Sequence, residues 1–472
     1  EFRRVLFRSL QQTLEGAYAL VIMIEGINDK LYFIKNKCPL VVAISKQEVY
    51  LASDELALVD NADSFYRLLD GEFGYISIND IKVYSLLEGK KEINFQLMNT
   101  DKNSLSLSGH KYFMHKEIFE QPLAVQNLLK NAIKDGIVTF DEQNLNLNKA
   151  LNCNKIQIVA CGSSYIAGLL AKETLQKILK VPVEVDFASE YRYKHKLTDQ
   201  NTLLIVISQS GETADTLAAL EEGAKLGANC LAITNVATSA IARFCSNSVG
   251  NIFLHAGIEI SVASTKAFVS QALALKLLSL ELAYRKSLIT YDEQKEYLDS
   301  LLKLPSFISQ ILQQDSYISK IAQELKNQTA MLYIARGELY PIALEGALKM
   351  KELSYIAAQG YPAGELKHGP IATIDKDMVV VVLMNNDELS KKTMSNLCEV
   401  KARGASIIAV TNSDNEEAYK EADYCIDIMC KESFILPMVA AVSMQLLAYH
   451  LADAKGLNID KPRNLAKSVT VE

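Results

Sequence analysis

The sequence lacks the residue patterns that mark several classes of protein. Its eight cysteines form no CxxC pair, and no histidines and cysteines follow one another at the spacing of zinc ligands. This argues against a zinc module and a disulfide framework, and we expect neither a metal nor another cofactor. Scattered cysteines in a long chain without a secretory signal are typical of a reduced compartment, so we expect a cytoplasmic protein.

Basic charge is also scarce. The 49 Lys and Arg residues are outnumbered by 56 Asp and Glu residues, which leaves a net charge of −7. Non-specific binding to nucleic acid needs a basic surface, and no helix-turn-helix is evident, so we expect no nucleic-acid partner. A local anion site remains compatible with an acidic protein, because a few hydroxyl groups and one helix N-terminus are enough to hold a phosphate.

No segment has the pattern of a membrane anchor or a secretory signal. The most apolar stretch, residues 434–454, carries Pro437, Ser443, Gln445 and His450, which favours a buried core helix over a membrane span. The first nine residues, EFRRVLFRS, have no initiator Met and no apolar segment after the arginines. We interpret residues 1–9 as a remnant of cloning or sequence assembly.

The rest of the chain divides into regions of different pattern, as its length predicts. Residues 10–110 contain short β-branched and aromatic runs separated by Gly, Asn and Asp turns, which predicts strands. Residues 111–150 contain an amphipathic helix broken by Pro122, and we interpret them as a linker. Beyond residue 151, apolar strand runs alternate with helical stretches, the pattern of a doubly wound parallel sheet.

This α/β pattern occurs twice. The run IVACG at 158–162 corresponds to YIARG at 333–337, and AITN at 232–235 corresponds to AVTN at 409–412 at nearly the same spacing. We therefore expect two similar α/β domains, at about 151–290 and 320–455. The tail, residues 456–472, has no core pattern of its own.

Two polar loops follow predicted strands of the first α/β domain. The loop SQSGET at 208–213 offers three hydroxyl groups and a glycine at a helix N-terminus, which indicates a phosphate site, although Ser and Thr also serve as plain N-caps. The loop CGSS at 161–164 is compatible with sugar contacts or with a helix cap. Cys161 has no evident His partner and is more typical of a buried small residue than of a nucleophile.

Three further segments are candidates for a site. VASTK at 262–266 has the pattern of an N-cap with Lys266 on the surface, and its residues alone leave ligand contact open. Glu345, Lys349 and Glu352 fall on one helix face, either as a solvated salt-bridge stripe or, given the apolar residues around them, as a buried charged site. His368 lies in a stiff loop of Gly and Pro residues and is a candidate acid–base group.

Together these segments resemble the glutamine–fructose-6-phosphate aminotransferase (isomerizing) family. The resemblance covers the chain after residue 10 and rests on FMHKEIFEQP (113–122), CGSS, SQSGET, VASTKAF, ALEGALKMKELSY, AGELKHGP and the terminal PRNLAKSVTVE. The last two are the most specific, because general sugar-isomerase domains lack that tail. The resemblance implies two tandem doubly wound sugar-isomerase (SIS) domains, preceded by a partial, strand-rich N-terminal-nucleophile amidotransferase domain.

The resemblance also implies a reaction and the residues that perform it. The family converts fructose 6-phosphate and glutamine into glucosamine 6-phosphate and glutamate, a step of amino-sugar biosynthesis. Glu352 would move a proton between sugar C1 and C2, Lys349 would act as an acid, and Lys467 would form a Schiff base with the ketose. His368, supplied by the partner subunit of a homodimer, would open the sugar ring. The substrate-binding set would be Ser208, Gln209, Ser210 and Thr213 at the phosphate, and Cys161, Gly162, Ser163, Ser164, Val262, Ser264 and Glu345 around the sugar.

One part of the family pattern is missing. Family members begin with a cysteine whose thiol attacks glutamine, and this sequence lacks that nucleophile and the front half of its domain. Cys38, inside a strand-rich segment, is no substitute. We therefore expect this chain to isomerise the sugar phosphate and to accept free ammonia, whereas glutamine would be a substrate only of the full-length parent.

Two alternatives remain open from the residues. One is a tandem-SIS phosphosugar isomerase or deglycase, and the other is a non-catalytic phosphosugar-sensing module. The module needs the Ser-rich loop but neither Glu352, His368 nor Lys467. The terminal tail favours the aminotransferase over both.

Overall fold

The computed structural model describes residues 9–10, 13–85, 89–98, 105–140, 143, 145–385 and 387–470. The remnant expected at residues 1–9 falls outside this described part, apart from Ser9. The contacts divide the chain into two units. Unit 1 comprises Glu1–Ser106, Glu212–Ala214 and Ser468–Glu472, and unit 2 comprises Leu107–Gly211 and Asp215–Lys467.

Unit 1 is built from antiparallel strands. Their bounds are β1 Tyr18–Ile24, β2 Ile27–Asn36, β3 Val41–Ile44, β4 Val49–Ala52, β5 Ser64–Arg67, β6 Glu72–Ile76, β7 Ile81–Ser85, β8 Gly89–Lys91 and β9 Gln96–Leu97. They form one sheet in the order β1-β2-β6-β7-β8 and another in the order β4-β3-β5-β9. Phe33 and Val83 of the first sheet share a core with Val42 of the second. The predicted strand-rich character of this region is confirmed.

Unit 2 begins with the segment that we interpreted as a linker. It contains α1 Phe113–Phe119, α2 Gln121–Ala132, a hairpin of β10 Ile133–Lys134 and β11 Ile137–Val138, and α3 Leu147–Leu151. Pro122 lies in the first turn of α2, where the backbone N–H groups have no intrahelical acceptor and its missing N–H is tolerated. This explains why the predicted helix divides at that point.

The first α/β domain follows. Its elements are β12 Lys155–Ala160, α4 Gly162–Leu179, β13 Val183–Phe187, α5 Ala188–Tyr191, β14 Thr202–Ser208, α6 Ala214–Lys225, β15 Asn229–Thr234, α7 Ala240–Cys245, β16 Gly250–Phe253 and α8 Lys266–Arg285. The strands pair in parallel in the order β13-β12-β14-β15-β16. Every residue of β14 is buried, as expected for the centre of a sheet covered by helices on both faces.

The second α/β domain repeats this topology. The connecting helices are α9 Tyr291–Leu301 and α10 Leu304–Leu312, and the domain comprises α11 Asp315–Glu324, β17 Ala330–Ala335, α12 Tyr340–Ser354, β18 Ala357–Pro362, β19 Val379–Leu383, α13 Ser390–Lys401, β20 Ser406–Thr411, α14 Glu416–Glu421, β21 Tyr424–Asp427 and α15 Leu436–Ala454. The parallel order β18-β17-β19-β20-β21 matches that of the first sheet. The predicted internal repeat is thus confirmed as a repeat of topology.

Two long helices form the centre of unit 2. The helix α15 is buried along its length, which confirms the expectation of a core helix there. The helix α8 is long and apolar enough to cross a membrane by composition, but 94% of that stretch is buried inside the protein. The surface position expected for Lys266 is wrong: its side chain is buried, and its ammonium contacts the Glu120 carboxylate at 2.6 Å, an interaction between distant segments that the local pattern does not reveal.

Candidate active site

The Ser-rich loop joins the end of β14 to α6. Ser208 is buried, and its Oγ accepts a hydrogen bond from the Gly211 amide at 3.0 Å. Gly211 has a φ of +66°, and a Cβ there would lie 2.0 Å from Ser239 Oγ, so the turn requires glycine. The Gln209 carbonyl accepts from the Asn235 amide at 3.1 Å, while Ser210 and Thr213 are half-buried. The loop is therefore a tight, braced turn before a helix N-terminus, a geometry suited to an anion.

The second predicted loop turns out to contact the second α/β domain. Gly162, with a φ of +54°, begins α4 directly after Cys161. Ser163 is buried, and its hydroxyl donates to Glu345 Oε1 at 2.9 Å, while Ser164 is half-buried. Burial raises the pKa of the Cys161 thiol, which does not favour a thiolate nucleophile.

Three charged side chains of α12 form a buried cluster. The Lys349 ammonium lies 3.4 Å from Glu345 Oε1 and also pairs with Glu352 Oε2. Glu345 and Lys349 are fully buried, whereas the Glu352 side chain is 23% exposed. The solvated-stripe alternative is therefore wrong, because the apolar neighbours on α12 turn this face inward.

The pKa values of Glu345 and Lys349 are shifted by burial and by their neighbours. Burial raises the pKa of Glu345 to about 7, against a smaller opposing effect of Lys349. Burial alone would lower the pKa of Lys349, but the two carboxylates outweigh it and the net shift is upward. Glu345 Oε2 has no hydrogen-bond partner. A buried ionic cluster is costly to fold, and one with an unpaired carboxylate oxygen is typical of a binding or catalytic site.

The C-terminal tail contacts both the VASTK segment and the end of α12. The Lys467 ammonium contacts Glu259 Oε2 and the Ser261 carbonyl oxygen, each at 2.8 Å. Upstream, the Asp460 carbonyl accepts from the Val262 amide at 3.0 Å. The Arg463 amide donates to the hydroxyl of Tyr355, the residue that follows α12, at 2.9 Å. The tail is therefore anchored both on the loop that carries Val262 and Ser264 and beside the end of the helix that carries Glu352.

The partner of Lys467 is itself part of a buried acidic pair. Glu259 also accepts hydrogen bonds from the Thr265 and Ala267 amides, at 2.9 and 3.1 Å. Burial would raise the pKa of Glu259, but Lys467 and these amides lower it. Burial and the neighbouring Glu259 raise the pKa of Glu117 to about 7, and Glu117 is bound to the backbone amide and the hydroxyl of Ser261. The surroundings of Lys467 thus combine one ionised carboxylate with one that is readily protonated.

His368 is placed differently from the other candidates. It ends a short 3₁₀ turn, Ala363–His368, and its side chain is exposed. Among the described residues, no hydrogen bond or ion pair joins it to the cluster on α12. The part that the resemblance gives it, across a subunit boundary, stays a prediction.

Sequence reasoning missed Glu259, Glu117 and Tyr355. Glu259 lies just before VASTK, and Glu117 lies within FMHKEIFEQP. The latter motif contributes only to the family resemblance. Local pattern does not predict that Glu117 and Glu259 are buried together, because their burial arises from contacts between segments far apart in the chain.

Comparisons with known proteins agree with this architecture. A family profile described as the SIS domain matches residues 150–280 and 324–453. A solved structure described as the C-terminal domain of glucosamine-fructose-6-phosphate aminotransferase from Francisella tularensis is 39% identical, with a TM-score of 0.71, and the match covers 75% of this chain and 100% of that one. Glucosamine-6-phosphate deaminase from Thermotoga maritima, 22% identical with a TM-score of 0.58, shares the fold over 76% of this chain and 99% of its own. The predicted pair of tandem SIS domains is confirmed.

Full-length relatives are also similar over nearly the whole chain. The glutamine–fructose-6-phosphate aminotransferase (isomerizing) of Clostridium tetani is 40% identical over 461 residues, which is 97% of this chain and 75% of that protein. The protein of the same name from Francisella tularensis is 39% identical over 464 residues, with the same coverage. The chain belongs to the glutamine–fructose-6-phosphate aminotransferase (isomerizing) family.

Proposed function

We propose that the chain converts fructose 6-phosphate and ammonia into glucosamine 6-phosphate and water, with the sugar bound by the Ser-rich loop, the α12 cluster and the tail. The observation that carries this proposal is the buried cluster of Glu345, Lys349 and Glu352, hydrogen-bonded to Ser163 of the other SIS domain. A non-catalytic sensing module has no need of such a cluster.

The reaction divides among these residues according to their chemistry. The phosphate binds at Ser208, Gln209, Ser210 and Thr213, where the helix N-terminus favours an anion. The Lys467 amine attacks the ketose carbonyl carbon, and water leaves as the imine forms. Ammonia then attacks the imine carbon and the Lys467 amine leaves, so that the nitrogen of the product comes from ammonia. The resulting imine makes the C1–H bond acidic, and the Glu352 carboxylate takes this proton and returns it to C2. Lys349 donates to the sugar oxygens, and its buried position keeps this charge close to them.

Lys467 must lose its proton before it attacks a carbonyl. In the structure it contacts Glu259, a carboxylate held in its ionised form by Lys467 and two backbone amides. We therefore propose that this contact holds the tail lysine in place, and that the bound sugar phosphate draws the tail out of it. Glu259 then acts as a positioning residue for Lys467.

Two further properties belong to this proposal. The chain forms a homodimer in which the exposed His368 acts in the active site of the partner subunit, opening the sugar ring. All eight cysteines are free thiols, which supports a reducing, cytoplasmic location.

The proposal is tested by direct conversion. The purified chain is incubated with fructose 6-phosphate and an ammonium salt, and glucosamine 6-phosphate and glucose 6-phosphate are measured by mass spectrometry after chromatographic separation. We expect at least one of these products, and its loss in Glu352→Gln. Binding of fructose 6-phosphate without either product would contradict an enzymatic function and favour a sensing module.

A further inference from the structure

Two histidines and an aspartate form a cluster outside the Ser-rich loop, the α12 cluster and the tail. His115 of α1, Asp315 at the start of α11 and His450 of α15 come from three segments of unit 2 that are far apart in sequence. The Nε2 atoms of the two histidines lie 3.1 and 2.7 Å from the same oxygen, Asp315 Oδ1. All three candidate ligand atoms lie within 4.8 Å of one another. We propose that His115, Asp315 and His450 form a binding site for a divalent transition-metal ion, of which Zn²⁺ fits best.

The donor set matches the chemistry of this ion. Imidazole nitrogen and carboxylate oxygen are common ligands of zinc, and a tetrahedral site with three protein ligands is completed by water. Bonds of about 2.0–2.2 Å place neighbouring ligand atoms about 3.3 Å apart, so the present arrangement needs only small side-chain movements.

Aromatic packing fixes the orientation of the His115 ring. The His115 ring stacks on Tyr449 with centroids 4.6 Å apart and packs edge-on against Phe119 at 4.7 Å. Its other nitrogen, Nδ1, lies 2.9 Å from His110 Nδ1. A metal-binding histidine normally donates its second ring nitrogen to such a partner, which fixes the tautomer. In the metal-bound state, His115 would donate from Nδ1 to His110 and bind the ion through Nε2.

The position of the cluster indicates what the metal would do. The segment carrying α1 precedes both SIS domains, whereas α11 and α15 belong to the second one. An ion held by all three would fasten α1 to the second SIS domain. Because the ion binds the folded state, it would stabilise this arrangement increasingly, with the logarithm of its concentration above Kd. The side chains of His115 and Asp315 are 17% and 27% exposed, which leaves the ion a path from solvent.

The competing explanation is a hydrogen-bonded cluster without metal, in which both histidines carry Nε2 protons that they donate to Asp315. The experiment separates the two. The chain is stripped with a chelator and titrated with Co²⁺, whose visible absorption reports coordination, and Zn²⁺ is then added as a competitor. We expect one Co²⁺ per chain, displacement by Zn²⁺, and a Zn²⁺-dependent rise in Tm. His115→Gln and Asp315→Asn should each weaken Co²⁺ binding at least tenfold and abolish the rise.

The matched control is His195→Gln, which removes an exposed histidine outside the cluster and should leave binding unchanged. X-ray absorption of the Zn²⁺-loaded parent keeps the test decisive if the cluster variants do not fold: two imidazole ligands and no sulfur are expected. Absence of stoichiometric binding, sulfur ligation, or unchanged affinity in a folded His115→Gln would each overturn the proposal.

Discussion

Replacing Glu345 by Gln should change how the stability of the protein depends on pH. Glu345 is fully buried, accepts a hydrogen bond from Ser163 and lies 3.4 Å from the Lys349 ammonium. Burial raises its pKa from 4.5 to about 7. Glutamine has the same shape, and its amide oxygen still accepts from Ser163, so the substitution mainly removes the titrating group.

The sign and size of the effect follow from this shift. The folded state binds the Glu345 proton more tightly than the unfolded state does. The free energy of unfolding is therefore highest below about pH 4.5, where Glu345 is protonated in both states, and it falls as the pH rises to about 7. Each pKa unit corresponds to about 1.4 kcal/mol, so ionising Glu345 costs the folded state about 3 kcal/mol over this interval. In Glu345→Gln this loss is absent.

The assay is the Tm of parent and variant in a series of buffers spanning that interval. We expect the variant to gain in Tm relative to the parent as the pH rises, with the difference levelling off above about pH 7. Glu222→Gln, which removes an exposed carboxylate paired with Lys225, should show no such gain. A Tm difference between Glu345→Gln and the parent that stays constant across the series would refute the reasoning.

Two further predictions concern substrate and tail. Ser210→Ala and Thr213→Ala should each weaken fructose 6-phosphate binding by about 1.5–3 kcal/mol, or roughly ten- to a hundredfold, because a charge-assisted hydrogen bond is lost. Calorimetry measures this affinity, and an unchanged value would place the phosphate elsewhere. Glu259→Gln should release the tail, since Lys467 loses its charged partner at 2.8 Å, and protease cleavage within residues 461–467 should become faster. Cleavage at the parental rate would show that Glu259 does not hold the tail.

Much of the fold follows from local sequence pattern. The apolar runs of β12 and β17 predict parallel strands because both faces of such a strand are buried, and the correspondence between residues 158–162 and 333–337 reveals the repeat. Pro122 marks the boundary of a helix for a steric reason that acts locally. These features depend on neighbours in the chain, so sequence reasoning finds them.

The site depends on contacts that local pattern does not contain. The residues predicted from chemistry, such as Glu345 and Ser163, were chosen separately, and only the fold shows that one donates to the other. Lys266 was wrongly expected on the surface because its partner, Glu120, lies far away in sequence. Lys467 was identified by resemblance alone, since a lysine in an unpatterned tail has no local signature. Glu259 also has no local signature, because its partner Lys467 is far away in sequence.

The central claim is that Lys467 forms an imine with the ketose and Glu352 then transfers the proton. Treating the protein with fructose 6-phosphate and borohydride, followed by peptide mass spectrometry, tests it directly. The parent and Glu352→Gln should both carry a reduced sugar adduct on Lys467, although Glu352→Gln should fail to convert the sugar. Lys467→Arg should bind the sugar phosphate but give neither adduct nor product, because a guanidinium stays protonated and cannot attack a carbonyl. Conversion by Lys467→Arg at a rate near that of the parent would contradict the account.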